Sequence, residues 1–237
     1  MVTVAGRSLP AFQAMQYIGA LAGLSLGAAV AQRLGEDPNR FLVAGFILFV
    51  PAVVGAHLGP NLLNGTVRRR SWLRPRDGSA FFLALPAVLL TAPLVIWAAG
   101  LSAGVFLDAV AVAVVTGTVF GRIGCLFHGC CCGRPTSGRL GIPLTDAHGV
   151  HCRRLPTQLL DATWAALLLG GMLAAMGHLP TGTCFFAGSV LYGCGRLLTD
   201  FTRQQRPLAS RLSQAQIASL ALIAGGACAL VMTQLVP

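Results

Sequence analysis

Seven mostly apolar stretches, separated by polar segments, divide the chain. They cover residues 10–32, 41–63, 79–99, 101–121, 157–178, 181–201 and 213–236. A helix that crosses a bilayer needs about 20 consecutive, mainly apolar residues, and each stretch reaches that length. The pattern therefore predicts an all-α polytopic membrane protein, in which a bundle of seven transmembrane helices forms a single integral membrane domain over residues 1–237.

The first apolar stretch also has features of a cleaved signal peptide. Arg7 precedes it, and Ala29-Val30-Ala31 resembles a cleavage site. The stretch is long for a signal peptide, however, and it contains Gln13 and Gln16. We therefore expect a helix that is retained in the mature protein.

The composition agrees with a membrane protein and indicates an anionic partner. Hydrophobic residues make up 55% of the chain and charged residues 10%, whereas soluble domains carry about 25% charged residues. All 17 basic residues are arginines, and the net charge is +10. Basic loops of membrane proteins meet lipid phosphates, which the guanidinium fork can bind in a bidentate manner. We expect the membrane and an anionic phospholipid as partners, and no nucleic acid.

A few polar side chains interrupt the predicted spans and should face the interior of the bundle or a wet cavity. They are His57, Asp108, Asp161, Arg196 and Asp200. Tyr192, Arg196 and Asp200 are four residues apart, so they share one helix face, and Arg196 can pair with Asp200. That pair has two possible roles, because it can either hold helices together or form part of a site. Asp108 lies about 21 Å from Arg122 along one helix, so we expect it to serve packing or the other membrane face.

The stretch from Gly121 to Gly133 is the densest in groups that can do chemistry. It contains Arg122, His128 and four of the eight cysteines, which are Cys125, Cys130, Cys131 and Cys132. Thiolate and imidazole are ligands for zinc or copper(I), so these cysteines and His128 are candidate metal ligands. His148, His151 and Cys152 follow in the next loop. Packing or a structural disulfide is the simpler explanation of the cysteines, and neighbouring cysteines do not easily share one ion.

Three motifs occur in order along the second half of the chain. They are Gly121-Arg122-Ile123-Gly124, Pro156-Thr157-Gln158-Leu159 and Tyr192-Gly193-x-x-Arg196-x-x-x-Asp200-Phe201. Together they resemble the prolipoprotein diacylglyceryl transferase family. The resemblance implies a multi-pass protein of the bacterial plasma (inner) membrane. It also implies transfer of a diacylglyceryl group from phosphatidylglycerol to the lipobox cysteine thiol in the signal peptide of a prelipoprotein. Glycerol phosphate leaves, and no cofactor is expected.

The resemblance assigns roles to individual residues. Arg122 and Arg196 match the two essential arginines of the family, so we expect both to point into one polar cavity. Asp161 and Asp200 stand where the family has glutamates. Gln216 matches a glutamine in the last span. The implied substrate-binding residues are Arg122, Gly124, Cys125, Gly133, Gln158, Tyr192, Asp200 and, in the second span, His57.

The chain also departs from the family pattern. Cys125 replaces an asparagine, Cys130 replaces a glutamate, and His57 stands at an arginine position. Leu83 occupies the position of the histidine that is the family's candidate base. We therefore expect a divergent, cysteine-rich member of the family.

Because that histidine is replaced, another residue must accept the proton of the acceptor thiol. His128 lies in the same motif as Arg122, and an imidazole can accept a thiol proton near neutral pH. We predict His128 as the base, with His57 and Asp161 as alternatives, so that Arg122, Arg196, His128 and Asp161 form the catalytic set. The competing hypothesis is a Cys/His-rich membrane protein that binds a soft metal or carries out thiol redox chemistry without transferase activity.

Membrane orientation stays open at this point. Most loop arginines fall on one face of the predicted bundle, in the N-terminal segment and in loops 64–78, 128–156 and 201–212. The positive-inside rule places this face in the cytoplasm, whereas the family resemblance places the same loops outside.

Overall fold

Every predicted apolar stretch is helical in the computed structural model. The model describes the backbone of residues 2–4, 7–9, 11–63, 80–145, 149–203 and 213–235, and side chains at 11–54, 87–145, 149–203, 213 and 215–233. The helices in this part of the chain are α1 (Ala11–Arg33), α2 (Pro38–Leu63), α3 (Ala80–Ala99), α4 (Ala103–His128), α5 (Thr157–Ala175), α6 (Thr183–Asp200) and α7 (Gln214–Leu235). The predicted helical class is confirmed.

Four of these helices, α1, α4, α5 and α7, are long and apolar enough to cross a membrane. Within the residues whose side chains are described, α2 and α3 contain shorter apolar segments, Pro38–Val54 and Ala87–Ala99. Large apolar side chains such as Leu90, Trp97 and Leu167 are well exposed, as expected for helix surfaces that lipid solvates. The count of seven spans stays a prediction.

The chain divides into two compact units. One contains Met1–Gly27 and Asp108–Pro237, and the other contains Ala28–Leu107. In the second unit, the rings of Phe41 and Phe106 lie 5.6 Å apart. The backbone N–H of Ser102 there donates to Glu36 Oε1 at 2.8 Å.

In the first unit, α1 and α4 pack closely because α1 presents glycines to its neighbour. A Cβ at Gly19 would lie 2.8 Å from Phe120 Cβ, and one at Gly23 would clash with the carbonyl oxygen of Ala113. Small residues at such crossings allow helix backbones in membranes to approach each other. This packing holds the end of α4, which carries Arg122, against α1.

Helix α4 is longer than predicted. It runs to His128 rather than residue 121, because no proline or other strong helix breaker interrupts Gly121–His128. Arg122 and Cys125 therefore lie on the last turns of a helix, and Cys130, Cys131 and Cys132 follow in a tight turn.

Two short β-hairpins were not predicted. β1 (Val2–Val4) pairs with β2 (Arg7–Leu9), and β3 (Ile142–Thr145) pairs with β4 (His151–Arg154). The second hairpin lies in the proline-containing loop between α4 and α5. This loop also reaches the end of α6, since the backbone N–H of Arg134 donates to the carbonyl of Thr202 at 2.9 Å.

Asp108 connects α4 to the beginning of α6. Its carboxylate accepts the backbone N–H groups of Gly182 at 2.7 Å and Phe185 at 2.8 Å. The first N–H groups of a helix have no partner within the helix, and a carboxylate there also meets the positive end of the helix dipole. Asp108 is only 3% exposed, so it is a buried cap supplied by another helix, which agrees with the predicted packing role.

Asp108→Ala is expected to lower the free energy of unfolding by about 2 kcal/mol, the upper range for loss of a helix cap. Thermal unfolding of the purified protein in detergent measures the change. Asp37 is a matched comparison because it caps α2 through Asn39 at 2.8 Å from an exposed position, where water can replace it. Equal losses in Asp108→Ala and Asp37→Ala would contradict the importance of the buried cap.

Candidate active site

Three arginines converge on the carboxylate of Asp161. Its Oδ2 lies 2.9 Å from Arg203 Nη2, 3.3 Å from Arg122 Nε and 3.6 Å from Arg196 Nη1. The Asp161 side chain is 6% exposed and each arginine side chain is 15–16% exposed. The charges are therefore largely removed from water. Their interactions are stronger in this environment than they would be in water.

Each residue of this cluster comes from a different part of the fold. Arg122 lies near the end of α4, Asp161 in the first turns of α5, and Arg196 near the end of α6. Arg203 follows α6, and its backbone is held by a bridge to Gly133. Gly133 permits this arrangement because a Cβ there would clash with the Leu155 carbonyl oxygen.

The cluster carries more positive than negative charge. Its anions are Asp161 and Asp200, which lies 4.0 Å from Arg203 Nε, against three guanidinium groups. Arg196 Nη1 is buried and makes no hydrogen bond within the described part of the chain. A cluster with more guanidinium than carboxylate groups and a buried, unused donor is suited to an anionic ligand.

The predicted pairing of Arg196 with Asp200 is wrong. Arg196 pairs with Asp161, whereas Asp200 accepts a hydrogen bond from Ser213 Oγ at 3.0 Å. Ser213 in turn exchanges hydrogen bonds with Gln216, whose Oε1 accepts the Ser213 backbone N–H at 3.0 Å. This is a capping box at the start of α7, so Asp200 and Gln216 position α7 next to the cluster.

A narrow polar pocket opens beside the arginines. Its lining residues are Thr118, Arg122, Asp161, Trp164, Tyr192 and Arg196, so the prediction that Arg122 and Arg196 share one polar cavity is confirmed. Trp164 also lines an apolar groove of about 330 Å³ between α5 and α6. The indole is fixed by a hydrogen bond to the Leu191 carbonyl at 3.1 Å, and Gly195 leaves room for it.

Three cysteines converge next to this pocket. The sulfur atoms of Cys125, Cys130 and Cys131 all lie within 4.8 Å of one another. Cys131 has a positive φ of 59°, which is uncommon for a residue other than glycine and turns its side chain back towards its neighbours. The turn is supported by the buried Gln158, whose Nε2 donates to the Cys130 carbonyl at 2.9 Å.

His128 does not join this group. Its ring packs edge-on against Phe12 at a centroid distance of 5.6 Å, and the residue is exposed at the end of α4. The prediction that His128 lies with the cysteines is therefore wrong, and its use as the base has no support in this geometry. The Cys132 thiol is also engaged elsewhere, since it donates to the Gly129 carbonyl at 3.0 Å.

The two thiols in the turn after α4 have opposite shifts. A hydrogen bond with Cys125 and the positive charges of Arg203 and Arg122 together lower the pKa of Cys131 to about 5, against the opposing effect of burial. Burial raises the pKa of Cys130, and so does the negative charge of Cys131. Cys131 is therefore the thiol of the pair that ionises more readily.

Other candidate residues lie elsewhere or outside the described residues. His151 is exposed in β4 and shares a hydrogen bond of 2.9 Å with Thr145. The side chains of His57 and Leu83, and the whole of His148, are outside the described residues. Sequence reasoning missed Arg203 as a member of the cluster, although its position three residues after Asp200 was a signal that it returns to the same face.

Fold and site together define a multi-pass helical membrane protein with a cationic pocket that adjoins an apolar groove. The sequence profile of the prolipoprotein diacylglyceryl transferase family matches residues 2–232. The chain therefore belongs to this family.

Similar curated proteins carry the corresponding name. Phosphatidylglycerol–prolipoprotein diacylglyceryl transferase of Clostridium tetani is 33% identical over 120 residues, 48% of this chain and 47% of that protein. The protein of the same name from Dehalococcoides mccartyi is 31% identical over 127 residues, 51% of this chain and 48% of that protein. The chain spans about half the length of the curated relatives it matches.

Proposed function

We propose that the protein is a phosphatidylglycerol–prolipoprotein diacylglyceryl transferase of the bacterial plasma membrane, with seven spans. The observation that carries this proposal is the convergence of Arg122, Arg196 and Arg203 on the single carboxylate of Asp161, beside an apolar groove. An anionic phospholipid has the matching parts, a phosphate and acyl chains, joined through glycerol. The proposed reaction is the one that the names of the similar curated proteins describe.

In this proposal the phosphate binds at the mouth of the polar pocket, whose volume of about 10 Å³ suits a group the size of water, and contacts the arginines that line it. Arg122 uses Nε towards Asp161, which leaves its terminal nitrogens for two phosphate oxygens, as in other forked arginine–phosphate pairs. Arg196 contributes the buried nitrogen that has no hydrogen-bond partner in the described part of the chain. Tyr192 lines the same pocket and is a further candidate contact.

The apolar groove between α5 and α6 accepts an acyl chain. It is lined almost entirely by apolar side chains, and Trp164 stands where the groove meets the polar pocket. In a lipid bound in this way, the glycerol carbon that bears the phosphate lies between the polar pocket and the apolar groove.

The arginines then assist departure of the phosphate. The acceptor thiolate attacks the glycerol carbon, the carbon–oxygen bond breaks, and negative charge grows on the oxygen of glycerol phosphate. Fixed donors that face this developing charge lower the barrier. Asp161, surrounded by three cations, orients them in this scheme rather than acting as the base.

Purified protein in vesicles tests the function directly. With phosphatidylglycerol and a peptide that contains a lipobox cysteine, we expect release of glycerol phosphate and formation of a thioether on the peptide. Phosphatidylethanolamine vesicles and a peptide with serine in place of cysteine are the controls.

Complementation provides the test in cells. The gene should restore growth of a bacterial strain depleted of its own transferase, and the Arg122→Ala variant should not. Normal levels of the unaltered protein without growth, and no thioether in vesicles, would overturn the proposal.

A further inference from the structure

The group formed by Cys125, Cys130 and Cys131 beside the arginine cluster is not needed to bind a phospholipid, yet specific contacts hold its three side chains together. Three sulfur atoms from two separate positions of the chain meet within 4.8 Å. One comes from the last turns of α4 and two come from the following turn, which a left-handed residue and the amide of Gln158 hold in place.

From this arrangement we propose that Cys125, Cys130 and Cys131 bind one zinc ion, and that the fourth coordination position receives the thiol of the acceptor. The inference rests on the proposed transferase function, because it names how that reaction would activate its acceptor. Catalytic zinc sites hold the metal with three protein ligands and keep one position open.

The geometry of the group fits a thiolate zinc site. Zinc–sulfur bonds of about 2.3 Å place the sulfur atoms of a tetrahedral site about 3.8 Å apart. Sulfur atoms already within 4.8 Å of one another reach this spacing by small side-chain rotations. Among the described residues, no fourth cysteine, histidine or carboxylate joins the group, which leaves one position for an outside ligand.

The surroundings fit the charge and the access that such a site requires. Zinc with three thiolates carries a net charge of −1, and Arg203 and Arg122 are the cations beside Cys131. Cys125 is buried and Cys131 is exposed, so the ion would lie at the surface of the turn, where a peptide can reach it.

The proposed site also supplies the deprotonation of the acceptor thiol, for which the described part of the chain offers no evident base. Leu83 stands at the position of the family's histidine, and His128 packs on Phe12 away from the cysteines. A thiol that coordinates zinc is deprotonated outright, and its proton passes to water. Arg122 lies three residues before Cys125 on the same helix, so the metal-bound sulfur and the phosphate pocket are neighbours.

The reaction then balances without an oxidant or a further reactant. The zinc-bound sulfur donates an electron pair to the glycerol carbon, and the carbon–oxygen bond releases its pair to glycerol phosphate. The product is a neutral thioether, which is a weaker zinc ligand than a thiolate, so the lipidated peptide leaves the ion.

Metal analysis of the full-length protein, purified under reducing conditions and then exposed to one equivalent of zinc, tests the site. We expect one zinc per chain, and X-ray absorption should show three sulfur neighbours. Each of the changes Cys125→Ser, Cys130→Ser and Cys131→Ser should lower the retained zinc at least tenfold. Cys228→Ser on α7, a matched change at an exposed cysteine, should retain one zinc per chain. Failure to bind zinc, binding of copper(I) only, or a disulfide between these cysteines in the purified protein would overturn the proposal.

Cobalt substitution tests the open position. Addition of the cysteine peptide to the cobalt protein should increase the sulfur-to-cobalt charge-transfer absorption by about one third, from three thiolates to four, and the serine peptide should not. No response to the cysteine peptide would overturn the acceptor role. A full response without release of glycerol phosphate from phosphatidylglycerol would support the metal–thiol site and contradict the transferase function instead.

Discussion

Arg122→Lys should lower the rate of diacylglyceryl transfer about 100- to 1,000-fold, the usual effect of removing one donor that faces developing charge. Lysine can keep the ion pair with Asp161, but it lacks the second pair of donors that the fork presents to a phosphate. Release of glycerol phosphate from phosphatidylglycerol vesicles measures the rate.

The fold should survive this change, because the charge balance around Asp161 is kept. Arg139→Lys in the exposed loop is the matched control and should leave the rate unchanged. Full activity of Arg122→Lys would show that charge alone is sufficient and would contradict forked phosphate binding.

Asp161→Asn should have the largest effect on stability. Three guanidinium groups would lose their shared carboxylate at a site where the side chains are at most 16% exposed. Leaving buried charges without their partner costs roughly 3–5 kcal/mol. Protein level in the membrane and thermal unfolding in detergent measure the loss.

A second variant separates this structural role from a role as base. Arg203 is the nearest cation, at 2.9 Å, so adding Arg203→Gln to Asp161→Asn removes a charge and should recover part of the stability. If Asp161→Asn instead has normal stability and loses only activity, Asp161 acts as the base that the sequence also suggested.

The helices could be predicted because lipid leaves the backbone few options. A spanning segment must satisfy its own hydrogen bonds, so apolar length alone identified all seven helices to within a few residues, apart from the end of α4. The hairpin β3–β4 lies in a loop, where such a constraint does not apply.

Within the site, predictions succeeded for residues that belong to a motif on a helix. They failed where contacts between distant segments determine the position or the partner of a side chain. Arg122 and Arg196 were placed together correctly. The partner of Arg196 was not, because Asp161 on another helix competes with Asp200 on the same one. The spacing from Asp200 indicates the face on which Arg203 lies, but its placement also depends on its backbone bridge to Gly133, a contact between segments 70 residues apart. The convergence of neighbouring cysteines depends on the positive φ of Cys131, a conformation that sequence does not predict for cysteine.

The contacts of α6 have a consequence for the way the nascent chain enters the bilayer. α6 is not among the helices that are apolar enough to cross a membrane by themselves, and it contains both Arg196 and Asp200. Two of its N-terminal amides are satisfied by Asp108 on α4, and its arginine forms an ion pair with Asp161 on α5. Both carboxylates are synthesised before α6 leaves the ribosome. We therefore expect α4 and α5 to be in place before α6 integrates into the bilayer. The polar groups of α6 would then contact Asp108 and Asp161 rather than lipid.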